Sequence, residues 1–520
     1  MHHLALTISW ILFTLLAIFL SLNLFIKHKK NNRSDQVKQQ VPPGLWKLPI
    51  IGNLHNLMGS LPHHALKSLS RKHGDLIHLQ LGEVSTFVVS SPQLAKEIVK
   101  THDVAFANRP EFLSAKIILY NCSDLAFAPY GDYWRQMRKI CILELLSGKN
   151  VRSFGPIRQH EVSQLVSSVR EAANAGSKRA INLTQLLSSY SSSVVCRAAF
   201  GRSFGRHRDT LLMLVKEALV LSSGFDVCDV FPSWKILHYL SSKPKMLQLR
   251  NKIDGILDTI IQEHVEHRAR TLTGFGEFGQ EDLIDVLLRI KDNGDLQFPI
   301  TNTHIKAIII DMFIAGTESS SITVEWAMTE MFRKPHVLVK AQSEVRKALA
   351  TMGKTTMEEA DTHKLSYLKL VIKETLRLHP SPSLILRENM EECEIGGHTI
   401  PPKSRVIINV WGIARDPRYW DDPESFIPER FEDSSVDFAG NHYEFLPFGS
   451  GRRSCPGTSF GLANIEVPLA NLLCYFDWKL PADDANGTRC LDMSETHGLT
   501  TPKKHNLLLV PSMYESLGTA

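Results

Sequence analysis

One cysteine of this 520-residue chain lies in a segment whose composition suits a metal ligand. The segment reads Phe448-Gly-Ser-Gly-Arg-Arg-Ser-Cys-Pro-Gly457. A thiolate binds metals, and thiolate ligation of haem iron favours cleavage of the O–O bond. Gly451 and Gly457 would let the backbone approach a porphyrin and its sulfur ligand closely, while Arg453 would face a haem propionate. The segment predicts a haem-thiolate loop with Cys455 as ligand, the alternative being a surface loop with an idle thiol.

Two residue pairs have spacings that place both members on one face of a helix. Trp134 and Arg138 are four apart on a predicted helix, so an indole N–H and a guanidinium can reach one anion together. Glu374 and Arg377 are three apart, which by itself usually indicates a surface ion pair.

Polar residues interrupt a long apolar helix. An aliphatic stretch from Ile308 to Ile314 runs directly into Ala315-Gly-Thr-Glu-Ser-Ser320. Hydroxyl and carboxyl side chains in a helix interior compete with backbone hydrogen bonding, so their placement there indicates a functional role. The alternative is a solvated patch on the helix surface.

The elements that would position these residues are mainly helical. Apolar residues recur with helical spacing over residues 210–221, 246–267, 302–333, 366–378 and 459–476. Apolar and polar residues alternate on both sides of Gly82 over residues 75–90, which predicts a β-hairpin. A further strand is predicted at residues 405–410. The fold class is therefore mainly α with a small β part.

The N-terminus predicts a membrane anchor. Residues 4–26 are apolar or uncharged over a length that can cross a bilayer, and Lys27, Lys29, Lys30 and Arg33 follow them. Because positive flanks stay in the cytosol, the large C-terminal part should face the cytosol. The alternative is a cleaved signal peptide. We divide the chain into a signal-anchor transmembrane segment at 1–30, a basic and proline-rich hinge at 31–53, and a catalytic domain at 54–520.

Charge and cysteine content exclude several other classes of protein. The net charge of +5 is small for this length and does not argue for nucleic-acid binding. The eight cysteines form no close-set pairs of the kind found in zinc sites or disulfide frameworks. Reduced cysteines fit a domain on the cytosolic side of a membrane.

The pattern F-x-x-G-x-R-x-C-x-G, filled by residues 448–457, resembles the cysteine loop of the cytochrome P-450 superfamily. The resemblance implies a cytochrome P-450 fold with haem b on the Cys455 thiolate. Trp134 with Arg138 resembles the family's propionate clamp, and Arg387 and Arg453 are further propionate candidates. The remaining residues implied by the resemblance are the cofactor-binding Phe448, the buried structural network of Glu374, Arg377 and Arg430, and the oxygen-activation motif of Ala315, Gly316, Glu318 and Ser319.

In that last motif the small residue and the glycine make room for dioxygen, and the acid and the hydroxyl deliver protons. This sequence has Ser319 where the family more often has threonine, and Leu386 where it often has proline. Serine keeps the hydroxyl but loses the methyl group that restricts χ1.

The resemblance also implies the activity. A membrane-anchored monooxygenase of this family uses O2 and takes electrons from NADPH through a separate flavoprotein reductase, and no dinucleotide-binding fingerprint is evident in the sequence. The expected location is the endoplasmic reticulum membrane, with a single span and a cytosolic catalytic domain. Basic residues near the cysteine side, Arg135, Lys139 and Arg452, are candidates for contact with an acidic reductase, the alternative being a merely solvated face.

The substrate is predicted from a narrower resemblance. Ala126-Phe-Ala-Pro-Tyr-Gly-Asp-Tyr-Trp-Arg-Gln-Met-Arg-Lys139 is similar to the plant A-type clan, and especially to its terpenoid hydroxylases. The same clan oxidises alkaloids and phenolics, and a reductase-independent isomerase or dehydratase and a non-catalytic haem protein also remain open. The expected pocket for a small hydrophobic substrate is drawn from five segments, namely 111–125, 212–230, 308–315, 381–385 and 498–501.

Overall fold

The computed structural model describes most of the residues that follow position 41. The described residues are 42, 44–174, 180–201, 204–221, 226–271, 273–276, 280–294, 296–481, 491–496 and 498–514. The predicted anchor and most of the predicted hinge lie outside these ranges.

Helices make up most of the described residues. They are Pro62–His73, Pro92–Lys96, Leu113–Ile118, Asp132–Ile140, Gly148–Ser153, Gly155–Asn174, Leu183–Phe200, Phe204–Leu221, Val227–Val230, Lys243–Arg270, Leu283–Asn293, Asn302–Arg333, Pro335–Thr351, Glu359–Thr362, Ser366–Leu378, Val410–Ile413 and Thr458–Tyr475. The five predicted helices are all present, and the prediction of a mainly α fold is confirmed.

The helix Asn302–Arg333, called the central helix below, organises the core. Thr301 caps its N-terminus by accepting a hydrogen bond from the backbone N–H of His304. The central helix packs most extensively against the helix Leu183–Phe200, and also against Thr458–Tyr475, the helix that follows the cysteine loop. Its length and hydropathy would allow it to cross a bilayer, but 56% of its most apolar stretch is buried within the protein, as in the core helix of a globular domain.

Strands form a small mixed sheet beside the helices. Strands β1 (Leu76–Leu81), β2 (Val84–Val89), β7 (Arg405–Ile408) and β4 (Ile385–Glu388) pair in that order. The β1–β2 pair is the predicted hairpin, whereas β2 and β7 run parallel. The other strands are β3 (Ile181–Asn182), β5 (Cys393–Ile395), β6 (His398–Ile400), β8 (Phe476–Lys479) and β9 (Leu508–Met513).

Strand β7 is shorter than predicted. The sequence indicates a strand to residue 410, but a short helix begins at Val410. Asn409 causes the change, because its side-chain oxygen accepts from the backbone N–H of Gly412 at 2.9 Å and caps that helix.

Candidate functional site

The predicted ligand Cys455 closes a tight turn. Its backbone N–H donates to the carbonyl of Phe448 at 2.8 Å, with one turn of 3-10 helix at Gly451–Arg453 between them. Of the seven described cysteines, Cys455 alone is exposed, although its sulfur lies deep within the protein. The sulfur therefore faces an internal hollow rather than the outer surface.

Two donors lie beside the Cys455 sulfur. Burial raises the pKa of the thiol, whereas the backbone N–H of Gly457 and the hydroxyl of Thr458 act to lower that pKa. Donors of this kind stabilise a metal-bound thiolate and tune the metal. The setting fits a cysteine that is deprotonated when it binds iron.

Gly451 has a packing role in addition to the predicted one. Its φ is +70°, and an added Cβ would lie 2.2 Å from the carbonyl oxygen of Val99 and 2.6 Å from Oδ1 of Asp103. This glycine therefore lets the cysteine loop approach residues 97–103 closely, and its approach to a porphyrin stays a prediction. A Cβ on Gly457 would lie 3.9 Å from the Cys455 sulfur, which is an ordinary contact.

Four arginines gather beside the cysteine loop. Arg387 and Arg453 are buried, and Arg109 and Arg138 are half-buried. Their hydrogen bonds go to uncharged groups, mainly backbone carbonyls, and no carboxylate of the described residues forms an ion pair with any of them. Sequence reasoning missed Arg109, whose Nη1 donates to the Leu386 carbonyl.

The charges of this arginine cluster are unbalanced. Burial lowers the pKa of Arg109 to about 10 and that of Arg453 to about 9. Burial also lowers the pKa of Arg387 strongly, and repulsion from Arg109 and Arg453 adds to the effect. Buried charges are stable only when they are paired. The two propionates of a haem would supply that missing negative charge, so the described residues fit a haem bound next to Cys455.

Trp134 and Arg138, predicted to clamp one anion together, donate hydrogen bonds to two different residues and lie side by side, with the Arg138 guanidinium 5.4 Å from the Trp134 ring. The indole N–H of Trp134 donates to the Leu125 carbonyl at 3.1 Å, whereas Arg138 donates to the Ser454 carbonyl at 2.9 Å. The Trp134 ring also packs against the guanidinium of Arg453 at 4.2 Å. Trp134 therefore supports the arginine cluster, while Arg138 ties it to the residue before Cys455.

Glu374 joins two arginines in the interior. Arg377 forms a two-point ion pair with Glu374 at 2.7 and 2.8 Å, and Arg430 reaches the same carboxylate at 3.0 Å. Glu374 and Arg377 are fully buried. Arg377 also donates to the carbonyls of Ala414 and Pro423, so the network ties the loop before the cysteine segment to the helix Ser366–Leu378.

The middle of the central helix carries the predicted oxygen-activation residues. Ser319 Oγ donates to the Ala315 carbonyl at 2.6 Å. Ala315 is exposed although it lies halfway along this core helix, so it borders a hollow. Glu318 is half-buried, and its Oε2 accepts a hydrogen bond from Thr500 at 2.6 Å. A small residue, an acid and a hydroxyl thus lie within one turn and a half of helix.

Gly316 packs against a neighbouring helix. An added Cβ would lie 2.8 Å from Cγ2 of Val195 and 3.5 Å from Cε1 of Phe460. The glycine therefore allows close helix contact, and its role in making room for dioxygen stays a prediction. The contact with Phe460 also joins the central helix to the helix that follows Cys455.

We expect Gly316→Ala to lower the free energy of unfolding by about 1–2 kcal/mol. The overpacking cost of about 1–3 kcal/mol exceeds the helix-propensity gain of about 1 kcal/mol. Adding Val195→Ala should recover stability, because it removes the clashing methyl group. Gly255→Ala is the control, since no atom lies within 4 Å of an added Cβ there. Urea unfolding gives the free energy of unfolding of the wild type, Gly316→Ala, the double variant and Gly255→Ala. Equal losses of stability in Gly316→Ala and Gly255→Ala would contradict the packing role.

The buried Asp124 and the half-buried Asp311 lie where the central helix meets the loop before Trp134. Asp311 accepts the backbone N–H groups of Leu125 and Ala126 at 3.1 and 3.2 Å, and Asp124 accepts that of Phe127 at 2.8 Å. Burial raises the pKa of Asp311 to about 6. Burial and then repulsion from Asp311 raise the pKa of Asp124 to about 8. The sequence contained one signal of this contact, a lone aspartate in the aliphatic run of residues 308–314.

This pair should make stability depend on pH. An unfolded aspartate loses its proton near pH 3.9, whereas in the folded protein the raised pKa values keep Asp311 protonated to about pH 6 and Asp124 to about pH 8, so stability should fall as pH rises from about 4 to 8. Each retained proton changes the free energy by at most about 1.4 kcal/mol per pH unit. Asp124→Asn, which mimics the protonated acid, should flatten the decline between pH 6 and 8 in thermal unfolding. The exposed Asp209→Asn should not, and parallel curves for wild type and Asp124→Asn would contradict the assignment.

An apolar cavity adjoins the site. Each of the five predicted pocket segments contributes to its wall, and it is lined by Leu81, Phe112, Ser114, Ala115, Ile118, Leu119, Phe127, Ala218, Leu219, Ile314, Ser383, Leu384, Leu386, Arg405, Ile407, Gly498 and Leu499. Ile314 directly precedes Ala315, and Leu386 directly precedes Arg387. The cavity wall therefore includes the residue that precedes the central helix motif and the residue that precedes Arg387.

Comparisons with known proteins agree with this geometry. Residues 42–510 match the family model for Cytochrome P450. The chain is 54% identical to premnaspirodiene oxygenase of Hyoscyamus muticus over 97% of its length and 99% of that protein. It is 52% identical to 5-epiaristolochene 1,3-dihydroxylase of Nicotiana tabacum, over 97% and 99% of the two proteins. It is 50% identical to tabersonine 3-oxygenase of Catharanthus roseus, over 91% and 93%. With a family model matched over most of its length and relatives identical at about half of their positions, the chain belongs to the cytochrome P450 family.

Proposed function

We propose that this chain is a membrane-anchored haem-thiolate monooxygenase that hydroxylates or epoxidises a small apolar terpenoid of plant specialised metabolism. The observation that carries the proposal is the apolar cavity, which lies between Ile314 on the central helix and Leu386 beside the arginine cluster. Two of the three relatives compared above act on terpenoids.

Haem, held by Cys455, supplies oxygen activation when electrons arrive from NADPH through a separate reductase. The protein's own side chains and backbone N–H groups would hold the cofactor and deliver protons. The arginine cluster binds the propionates, and Gly457 and Thr458 stabilise the thiolate. Glu318 and Ser319 supply protons from the central helix, and the apolar wall orients the substrate and excludes water.

The membrane and partner contacts belong to the same proposal. Residues 1–30 would hold the catalytic domain, residues 54–520, on the cytosolic face of the endoplasmic reticulum, with residues 31–53 as the connecting hinge. Arg135 and Lys139 lie on one exposed helix face, and Arg452 is exposed on the cysteine loop itself. An acidic reductase surface would complement these three positive charges.

The test is NADPH-dependent turnover in microsomes that contain this protein and a plant reductase, with product detection by mass spectrometry. The panel holds terpenes, alkaloids and phenolics. A terpene that gains oxygen only when NADPH is present supports the proposal. Oxidation confined to the alkaloid, as the similarity to tabersonine 3-oxygenase would favour, changes the substrate class. Turnover without NADPH would favour an isomerase or dehydratase instead.

A further inference from the structure

The segment Gly498–Thr501, called the C-terminal segment below, lies between the cavity and the central helix. Gly498 and Leu499 line the cavity. The next residue, Thr500, donates its hydroxyl to Oε2 of Glu318 at 2.6 Å. The cavity wall and Glu318 are therefore linked through two adjacent residues, Leu499 and Thr500.

The far end of the C-terminal segment is fixed to the core. The carbonyl of Thr501 accepts the indole N–H of Trp326 at 3.2 Å. Trp326 is fully buried and stacks on His379 with ring centroids 3.9 Å apart. Because Thr501 is held in this way, the position of the Thr500 hydroxyl is fixed relative to the central helix.

Glu318 depends on this hydroxyl for its orientation. Within the described ranges, the Thr500 hydroxyl is the hydrogen-bond partner of the Glu318 carboxylate, which forms no ion pair there. A carboxylate on a flexible side chain has several rotamers, and a proton donor works only within hydrogen-bond reach of its acceptor. A single short hydrogen bond from a fixed hydroxyl selects one rotamer and leaves the second carboxylate oxygen for proton exchange.

We propose that Thr500 is a positioning residue that orients Glu318 for proton delivery. The inference rests on the proposed monooxygenase function and extends it to a residue of the C-terminal segment, 182 positions from the acid. Thr500 does not touch the reacting atoms. It acts through Glu318, so its loss should waste NADPH rather than weaken substrate binding.

The first test is a thermal double-mutant cycle on the haem-loaded full-length protein, with Thr500→Val, Glu318→Ala and the double variant. We expect Thr500→Val to lower the unfolding midpoint in the wild-type background and to have a smaller effect when Glu318 is absent. Thr500→Ser should retain the wild-type midpoint more closely, since it keeps the hydroxyl. Additive shifts would overturn the inference, and this readout does not depend on turnover.

The second test measures oxygenated product formed per NADPH consumed, with the substrate identified in the microsomal panel. Thr500→Val should lower this ratio several-fold, Thr500→Ser should restore most of it, and the substrate Kd from spectral titration should stay within about twofold of wild type. Thr496→Val is the matched control, because that hydroxyl bonds a backbone carbonyl, that of Pro502, in the same region of the sequence. An unchanged ratio in Thr500→Val would overturn the inference. Absence of any product from the wild-type protein would overturn the proposed function instead.

Discussion

Replacing Glu374 or Arg377 with alanine should leave little or no haem-loaded protein. Each change strands a buried charge, because Glu374 holds both Arg377 and Arg430, and Arg377 also satisfies the carbonyls of Ala414 and Pro423. Breaking a buried pair costs about 3–5 kcal/mol, which is a large share of the 5–15 kcal/mol that stabilises a typical domain.

The measurement is haem per polypeptide, taken from the carbon monoxide difference spectrum of the reduced protein. Arg289→Ala is the control, since Arg289 and its partner Glu281 are both well exposed and such pairs contribute at most about 1 kcal/mol. Normal haem content in Glu374→Ala or Arg377→Ala would show that the network is not required for folding.

Cys455→Ser should abolish the thiolate spectrum and reduce turnover by more than about 100-fold. Loss of a residue that merely supports a metal ligand costs about 10–100-fold, and here the ligand itself is removed. A serine hydroxyl stays protonated at neutral pH, whereas a cysteine thiol near a metal is readily deprotonated. The neighbouring arginines remain in this variant, so haem can still be present while its spectrum changes.

Cys393→Ser is the matched control for this change. Cys393 is buried in strand β5 within an apolar cluster, outside the cysteine loop. The control should keep the thiolate spectrum. A thiolate spectrum that persists in Cys455→Ser would assign the iron to another cysteine.

Local patterns predicted the fold well where the hydrophobic period was long. The central helix and the helix Ser366–Leu378 have the predicted bounds, because their apolar spacing extends over several turns. The β1–β2 hairpin was predicted from alternation around Gly82. Strand β7 was predicted two residues too long. The Asn409 side chain ends it by accepting a hydrogen bond from the Gly412 N–H, and the alternation of apolar and polar residues does not reveal such a cap.

Contacts between distant residues were harder to predict. The motifs indicated which residue types the site uses, but not that Gly451 faces Val99 or that Gly316 faces Val195. These roles depend on which element packs against the glycine, and a single sequence does not contain that information. Arg109 was missed for the same reason, and so was the contact of Thr500 with Glu318, although residues 498–501 were assigned to the pocket.

The arginine cluster bears on how the protein is assembled in the cell. Before the cofactor enters, the other arginines of the cluster repel Arg387 and Arg453 at a place where water cannot screen them well. A ligand that binds only the folded state stabilises that state by mass action. A dianion that neutralises this repulsion binds more tightly and therefore stabilises the folded state more. Haem supply should therefore set how much of the newly made protein escapes degradation, so that cofactor biosynthesis limits the abundance of the enzyme as well as its activity.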